Sequence, residues 1–201
     1  MAASDVSLRE EAPAPSHAGI SPSLLGMVLF IASEVMFFGG LFGAYFTIRG
    51  GAPQWPPPGT PELNVPYTGV LTAILVTSSL SMQLAVYAVR RNDRRWLVRW
   101  LIVTLVLGAA FLVGQGYEYS KLIGEGMTLR SGVFGSTFYT LTGFHGAHVT
   151  GGAIFMTIVL LRSISGQFTS TRHDSVEMCS YYWHFVDVVW VGLFSTIYLL
   201  G

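Results

Sequence analysis

The chain has 201 residues, of which 51% are hydrophobic and 11% charged. Soluble domains carry about 25% charged residues, so this composition lacks the polar groups needed to cover a water-facing globule. Eleven basic residues balance eleven acidic ones, which argues against a nucleic-acid binder, and the single cysteine, Cys179, excludes an intramolecular disulfide framework or a Cys-rich metal site.

Residues 1–20 mix charge, Ala and Pro and read as a mobile N-terminal tail rather than a signal peptide, because the start is acidic. Residues 21–201 read as a single transmembrane domain. A bilayer core of about 30 Å needs roughly 20 apolar residues as helix. Five stretches meet that length, at about 23–48, 67–89, 97–119, 131–162 and 176–200. The expected fold class is all-α: a polytopic membrane protein of five transmembrane helices. Helices are required because hydrocarbon cannot satisfy a free backbone N–H or C=O, and no segment alternates as barrel strands do.

In the first span the one charged residue is Glu34, followed by Gly39, Gly40, Gly43 and Ala44 as a small-residue face. The bland account is a neutral glutamic acid hydrogen-bonded inside the bundle; the sharper one is a proton carrier. Residues 49–66 hold six of the nine prolines around Trp55 and read as an irregular loop at the membrane surface. The second span carries no charge. The turn after it contains Arg90, Arg91, Arg94, Arg95 and Arg99, a topology determinant by the positive-inside rule and an alternative site for anionic lipid. This places the turn and the N-terminus in the cytoplasm and the C-terminus outside, in the periplasm. Eight of the eleven basic residues then face inward (Arg9, Arg162 and Arg172 with the five), leaving Arg49, Lys121 and Arg130 outside.

Glu118 and Glu177 fall at span ends. His145 and His148, in GFHGAHV, lie three residues apart and in principle could share a metal. The flanking Gly143, Gly146, Gly151 and Gly152 suggest close helix packing instead, and no Glu or Cys joins them in that span. In the fifth span Glu177, Ser180, His184 and Asp187 fall within an arc of roughly 80° at about 100° per residue, a polar stripe that must face other helices. Val186, Val189 and Phe194 lie opposite, suited to lipid or packing. The stripe reads first as a hydrogen-bonded helix seam, with a proton path or lipid head-group contact as alternatives. Trp96, Trp100, Trp183 and Trp190 read as interfacial or packing aromatics, and Cys179 as an inert buried thiol.

Four segments go further than composition. YYWHFVDVVWVGLFSTIYLLG (181–201), SGVFGSTFYTLTGFHGAHVTGG (131–152), GQGYEY (114–119) and SEVMFFGGLFGAYF (33–46) resemble subunit III of haem–copper terminal oxidases. The resemblance covers nearly everything after the tail and fits the five-helix bacterial form, which lacks the first two helices of longer members. It implies a non-catalytic subunit of a proton-pumping oxidase in the bacterial cell membrane, without a redox centre or metal of its own. Haem and copper are expected in partner chains. Subunit I would be the main contact, with subunit II and other respiratory chains as further partners. Structural phospholipid would lie in a cleft, and the subunit would support sustained proton uptake and turnover. Glu34 corresponds to the family's membrane glutamate. His145, His148, Glu177, His184, Asp187 and Glu118 are carried as lipid-cleft or helix-seam residues, none as a catalyst. The motifs favour the cytochrome c type over a quinol oxidase. Two readings of another class remain: a small proton-coupled transporter using Glu34, His184 and Asp187, and a redox protein with paired axial histidines.

Overall fold

The computed structural model describes residues 21–200; the N-terminal tail inferred from the sequence lies outside them. Five helices follow in order: α1 (Pro22–Gly51), α2 (Val65–Arg90), α3 (Arg94–Gly124), α4 (Val133–Ile164) and α5 (Asp174–Leu193), the last continuing as a π-helical turn, Phe194–Leu199. Three of the helices, α1, α2 and α3, begin at side-chain caps. Ser21 Oγ accepts from the Leu24 N–H at 3.3 Å with Pro22 in the first turn. Asn64 Oδ1 accepts from the Tyr67 N–H and Asp93 Oδ1 from the Trp96 N–H, both at 3.1 Å. Most boundaries therefore run a few residues past the apolar windows. Hydropathy marks the thickness of hydrocarbon, whereas the backbone stays helical until a cap stops it.

Four of the five helices, α1 to α4, are long and apolar enough to cross a membrane. The fifth differs from the sequence expectation. It is 20 residues long and carries Asp174, Glu177, His184 and Asp187. Those polar groups are tolerated because α5 is wrapped by the others, packing on α1, α2 and α4. Its side chains are buried except along one stripe, Asp174, Tyr181, Val188 and Val191; Val186 and Val189, opposite the polar stripe, are buried, so that face meets protein.

The connection between α2 and α3 needs only Arg91, Asn92 and Asp93, with Asn92 in the left-handed region at φ 56°. It makes α2 and α3 a tight antiparallel hairpin. By helix direction, the α2–α3 turn, the α4–α5 connection and the start of α1 share one end of the bundle, here the arginine end. The proline-rich loop 52–64, the α3–α4 connection and the end of α5 share the other. At that end Trp55 Nε1–H donates to Tyr45 Oη, and Tyr45 donates to the Thr196 carbonyl, both at 3.1 Å, so the loop and α1 are tied to the π-turn.

Trp183 sits at the centre, with no exposed surface. Its indole N–H donates to Ser78 Oγ of α2 at 2.8 Å. The space for its ring is made by Gly108 of α3 and Gly152 of α4: a methyl added at either would meet the ring at 2.7 Å or 3.1 Å. Two turns later Trp190 repeats the tie, donating to Thr72 Oγ1 at 2.9 Å. The glycines of α4 thus divide. Gly152 admits Trp183, Gly151 faces the Tyr182 hydroxyl, and Gly146 meets nothing.

Candidate functional site

Three polar clusters link the helices within the apolar region, and a fourth closes the arginine end. The most enclosed centres on Glu118 of α3, only 3% exposed. Its Oε1 accepts from Thr68 Oγ1 at 2.9 Å; its Oε2 accepts from the Tyr198 hydroxyl at 2.9 Å and from Gln115 Nε2 at 3.4 Å. The residue is therefore well inside the bundle, one and a half turns before α3 ends, and not the terminal group its sequence position suggests. The π-turn contributes to this. One additional residue per turn shifts the face presented by about 100°, and Tyr198 comes round to the carboxylate.

The second cluster joins α2 to α5 and contains the predicted His184 and Asp187. Ser79 donates its hydroxyl to Asp187 Oδ2 and lies 2.8 Å from His184 Nδ1, and Gln83 Oε1 is 3.4 Å from His184 Nε2. With the hydroxyl hydrogen committed to the carboxylate, the ring Nδ1–H donates to Ser79. Although Ser, His and Asp meet here, the serine hydroxyl is directed at the carboxylate and not at the imidazole nitrogen 2.8 Å away, so the arrangement differs from an activated nucleophile. It is a polar tie between helices. Asp187 is 5% exposed with Oδ1 unpaired, whereas His184 is half-buried.

The third cluster contains Glu34. It lies between α1 and α4 toward the side of the bundle, its side chain 19% exposed, because α1 touches only α5 and α4 appreciably. It is paired with His148, Nε2 to Oε2, at 2.9 Å. His148 Nδ1 is 2.7 Å from the Phe144 carbonyl, which can only accept, so Nδ1 bears a hydrogen. One proton then remains between Nε2 and the carboxylate, and the pair is net neutral whichever atom holds it. Phe37, Phe38 and Phe144 surround it. This neutrality lets two ionisable groups lie at an apolar edge.

His145 points elsewhere. It is fully buried, its Nε2–H donates to the Val186 carbonyl at 3.2 Å, and it packs against Phe111 and Trp190. His145 and His148, three residues apart on α4, address different helices and do not converge on one point. No group of three or more His, Cys, Asp or Glu side chains disposed to hold a metal occurs among the described residues. Glu34 and the His184–Asp187 pair belong to separate hydrogen-bonded clusters, so the three residues of the transporter reading do not form a bonded relay.

At the arginine end, Glu177 accepts from Arg90 at 2.7 Å and lies 3.2 Å from His173 Nε2, fixing the start of α5 to the end of α2. Arg94 donates to the Ser163 carbonyl at 3.1 Å and Arg99 covers the Trp96 ring at 5.1 Å. Arg91 and Arg95 are exposed. Cys179 is buried.

Sequence reasoning missed the partners. Thr68, Thr72, Ser78, Ser79 and Ser81 of α2 answer Glu118, Trp190, Trp183, Asp187 and Thr104 in turn. Their signal was visible as five hydroxyls in a span without charge, but hydroxyls in membrane helices commonly bond their own backbone, as Thr77 does here.

A family model described as cytochrome c oxidase subunit III matches residues 14–201. The chain belongs to this family. A Corynebacterium diphtheriae protein named cytochrome c oxidase subunit 3 is 49% identical over 179 residues, covering 88% of this chain and 87% of that protein. A Synechocystis protein of the same name is 47% identical over 178 residues, 88% of this chain and 75% of its own. One from Thermostichus vulcanus is 43% identical over 191 residues, covering 93% and 92%. Membership in the subunit III family makes the chain part of an oxidase complex, and its four long apolar helices mark a membrane protein.

Within that frame the Asp187 tie has a definite expected effect. Interhelical polar contacts in membranes average about 0.6 kcal/mol and reach about 1.7. Asp187→Leu removes the acceptor of Ser79, so it should weaken the chain's own α2–α5 contact by about 1–2 kcal/mol, while Asp187→Asn keeps most of it. Denaturant titration of the purified chain in detergent reads the difference. Equal midpoints for the Leu and Asn variants would remove the tie's structural role.

Proposed function

We propose that this chain is the non-catalytic subunit III of a proton-pumping cytochrome c oxidase, packing on subunit I, holding structural phospholipid and sustaining proton uptake and turnover. Cytochrome c as the electron donor follows the names of the relatives. Haem and copper belong to the partner chains. The cleft and seam residues are Glu34, His145, His148, Glu118, Glu177, His184 and Asp187, with roles in holding helices and lipid.

The observation that carries this reading is the face of α1. This 30-residue apolar helix buries only Phe38 and Tyr45 of its own side chains. Gly39, Gly40 and Gly43 face away from the chain, and a Cβ at any of them meets nothing within 4 Å. In a bilayer, small residues on a helix face let a neighbouring helix approach closely. Here the chain supplies no such neighbour, so the stripe suits a helix of another oxidase subunit. The bonding of the polar groups also supports a structural role: the acids and imidazoles are closed into pairs and ties within the chain.

The topology belongs to the same proposal. The arginine end gathers Arg90, Arg91, Arg94, Arg95, Arg99 and Arg162, against Arg49, Lys121 and Arg130 at the other. The positive-inside rule puts the arginine end in the cytoplasm of a bacterial cell, with the C-terminus outside. The α5 rod, residues 174–199 including the π-turn, is about 39 Å long at 1.5 Å per residue, sufficient for a fifth crossing.

Gly40→Leu and Gly43→Leu test the packing role. Each adds a bulky side chain where this chain has open space, so the chain itself should fold and insert normally. Association with the other oxidase subunits on a native gel should fall by tenfold or more. Full co-migration of both variants with the complex would remove α1 as the packing face.

A further inference from the structure

On the outer side of the α2–α3 hairpin, away from α1, a groove of about 370 Å³ is lined by Leu84, Tyr87, Ala88, Arg91, Asp93, Trp96 and Trp100. Its walls are two helical stripes. Leu84, Tyr87, Ala88 and Arg91 recur at three- and four-residue spacing along the end of α2, and Asp93, Trp96 and Trp100 along the start of α3. The groove lies at the arginine end, beside the three-residue turn.

We infer that this groove is a binding site for one anionic phospholipid, whose head-group phosphate is held by Arg91 with Arg99 beside it and whose acyl chain runs along the hairpin. This rests on the reading of the chain as a membrane-spanning subunit and locates one of the lipids that reading requires.

Three features select that occupant. The first is charge. Arg91 lines the groove and makes none of the side-chain hydrogen bonds or ion pairs found among the described residues, unlike Arg90 and Arg94, which are committed to Glu177 and Ser163. Arg99 adds a second guanidinium over the face of Trp96, at 5.1 Å. Asp93, the acid of the groove, accepts the Trp96 backbone N–H as a helix cap, which engages one of its oxygens. The balance is one net positive charge at the level where a head group lies, and a guanidinium matches two phosphate oxygens. The second is the aromatic wall. Trp96 and Trp100 stack with centroids 6.0 Å apart, and Trp96 remains 47% exposed. An open indole pair at a helix end suits the boundary between head groups and acyl chains. The third is continuity. One turn deeper along each stripe, Leu80 and Val103 are exposed and apolar, giving a chain-length path toward the bilayer centre. A peptide or a free phosphate would use the arginines but leave that path empty.

The test uses the full-length chain in phosphatidylcholine nanodiscs containing a small fraction of either brominated phosphatidylglycerol or brominated phosphatidylcholine, with tryptophan fluorescence as the readout. Trp183 and Trp190 are fully buried and Trp55 lies at the opposite end, so lipid-dependent quenching at the arginine end reports Trp96 and Trp100. An arginine near a phospholipid head group contributes about fivefold in affinity. Brominated phosphatidylglycerol should therefore quench with at least fivefold higher apparent association than brominated phosphatidylcholine. Arg91→Gln should bring the ratio toward one, Arg99→Gln should reduce it, and Trp96→Phe should reduce the phosphatidylglycerol-specific component to the part reported by Trp100. Equal quenching by the two lipids, or a preference that survives in the double arginine variant, overturns the site. The same wild-type minus Trp96→Phe difference is then measured in the purified oxidase complex; its disappearance there would mean that another chain, not lipid, fills the groove, which also overturns it. These failures are separate from failure of the subunit reading, which would show as a chain that does not co-migrate with oxidase subunits.

Discussion

Trp183→Ala should lower the stability of the chain by about 3–5 kcal/mol, the range for deleting a fully buried large aromatic side chain. The reason is geometric. The indole occupies space contributed by three helices: Ser78 of α2 receives its N–H, and Gly108 of α3 and Gly152 of α4 lie against its ring. The two glycines have no side chains with which to refill the void, and the ring makes no contact with lipid that could substitute for it. The polar part of the cost is small, because Ser78 Oγ keeps its bond to the Leu75 carbonyl at 2.6 Å when the indole leaves. Trp183→Phe separates the two contributions: it fills much of the volume, lacks the N–H, and should cost about 1–2 kcal/mol. Unfolding in a graded SDS and mild-detergent mixture measures both. An alanine variant as stable as wild type would mean that α3 and α4 do not close on α5 as described.

Glu118→Leu should cost about 2–4 kcal/mol and detach the end of α5 from α3. Three donors converge on this carboxylate, from Thr68, Tyr198 and Gln115. A buried donor left without an acceptor costs more than a hydrogen bond gains. The three are not equal. Thr68 Oγ1 can turn to the Asn64 carbonyl, already 3.1 Å away, so the loss falls on Tyr198 and Gln115. Tyr198 sits on the π-turn, and once its hydroxyl is orphaned that turn has reason to revert to α-helical spacing and rotate the ring outward. Glu118→Gln retains one carbonyl oxygen and should recover about half the loss. Limited proteolysis at the end of α5, together with the unfolding midpoint, distinguishes local detachment from global loss. A leucine variant with an intact midpoint and a protected end would show that the cluster does not hold the π-turn.

These two residues also show what the sequence could and could not convey. The presence and rough position of every helix were legible, because apolar length and arginine-rich or proline-rich breaks are properties of one segment at a time. Four helices have the required length and hydropathy, and the family was legible in WHFVD and GFHGAHV. The depth of individual groups was not. Glu34 lies in the middle of an apolar run and Glu118 near the end of one, yet Glu118 is enclosed and Glu34 is at an edge. Helical periodicity fixes the direction of a side chain around its own axis and says nothing about which neighbour stands there. The polar stripe of α5 illustrates the same limit: its residues do share an arc, but the opposite face is covered as well, since α5 lies among its neighbours rather than outside them. The small face of α1 is evident from the spacing of Gly39, Gly40 and Gly43, but the sequence does not say what it meets. It is open in this chain because α1 is the edge helix.

If the chain is a support that keeps a neighbouring oxidase working, its loss shortens the life of the enzyme and spares its initial rate. The most direct test is to purify the oxidase with and without this chain and follow oxygen consumption per haem from the first turnovers until activity is lost. The complex lacking the chain should begin at nearly the full rate and then inactivate within several-fold fewer turnovers than the complete one. A complex that is inactive from the first turnover, or one that lasts as long as the complete enzyme, would contradict that supporting role.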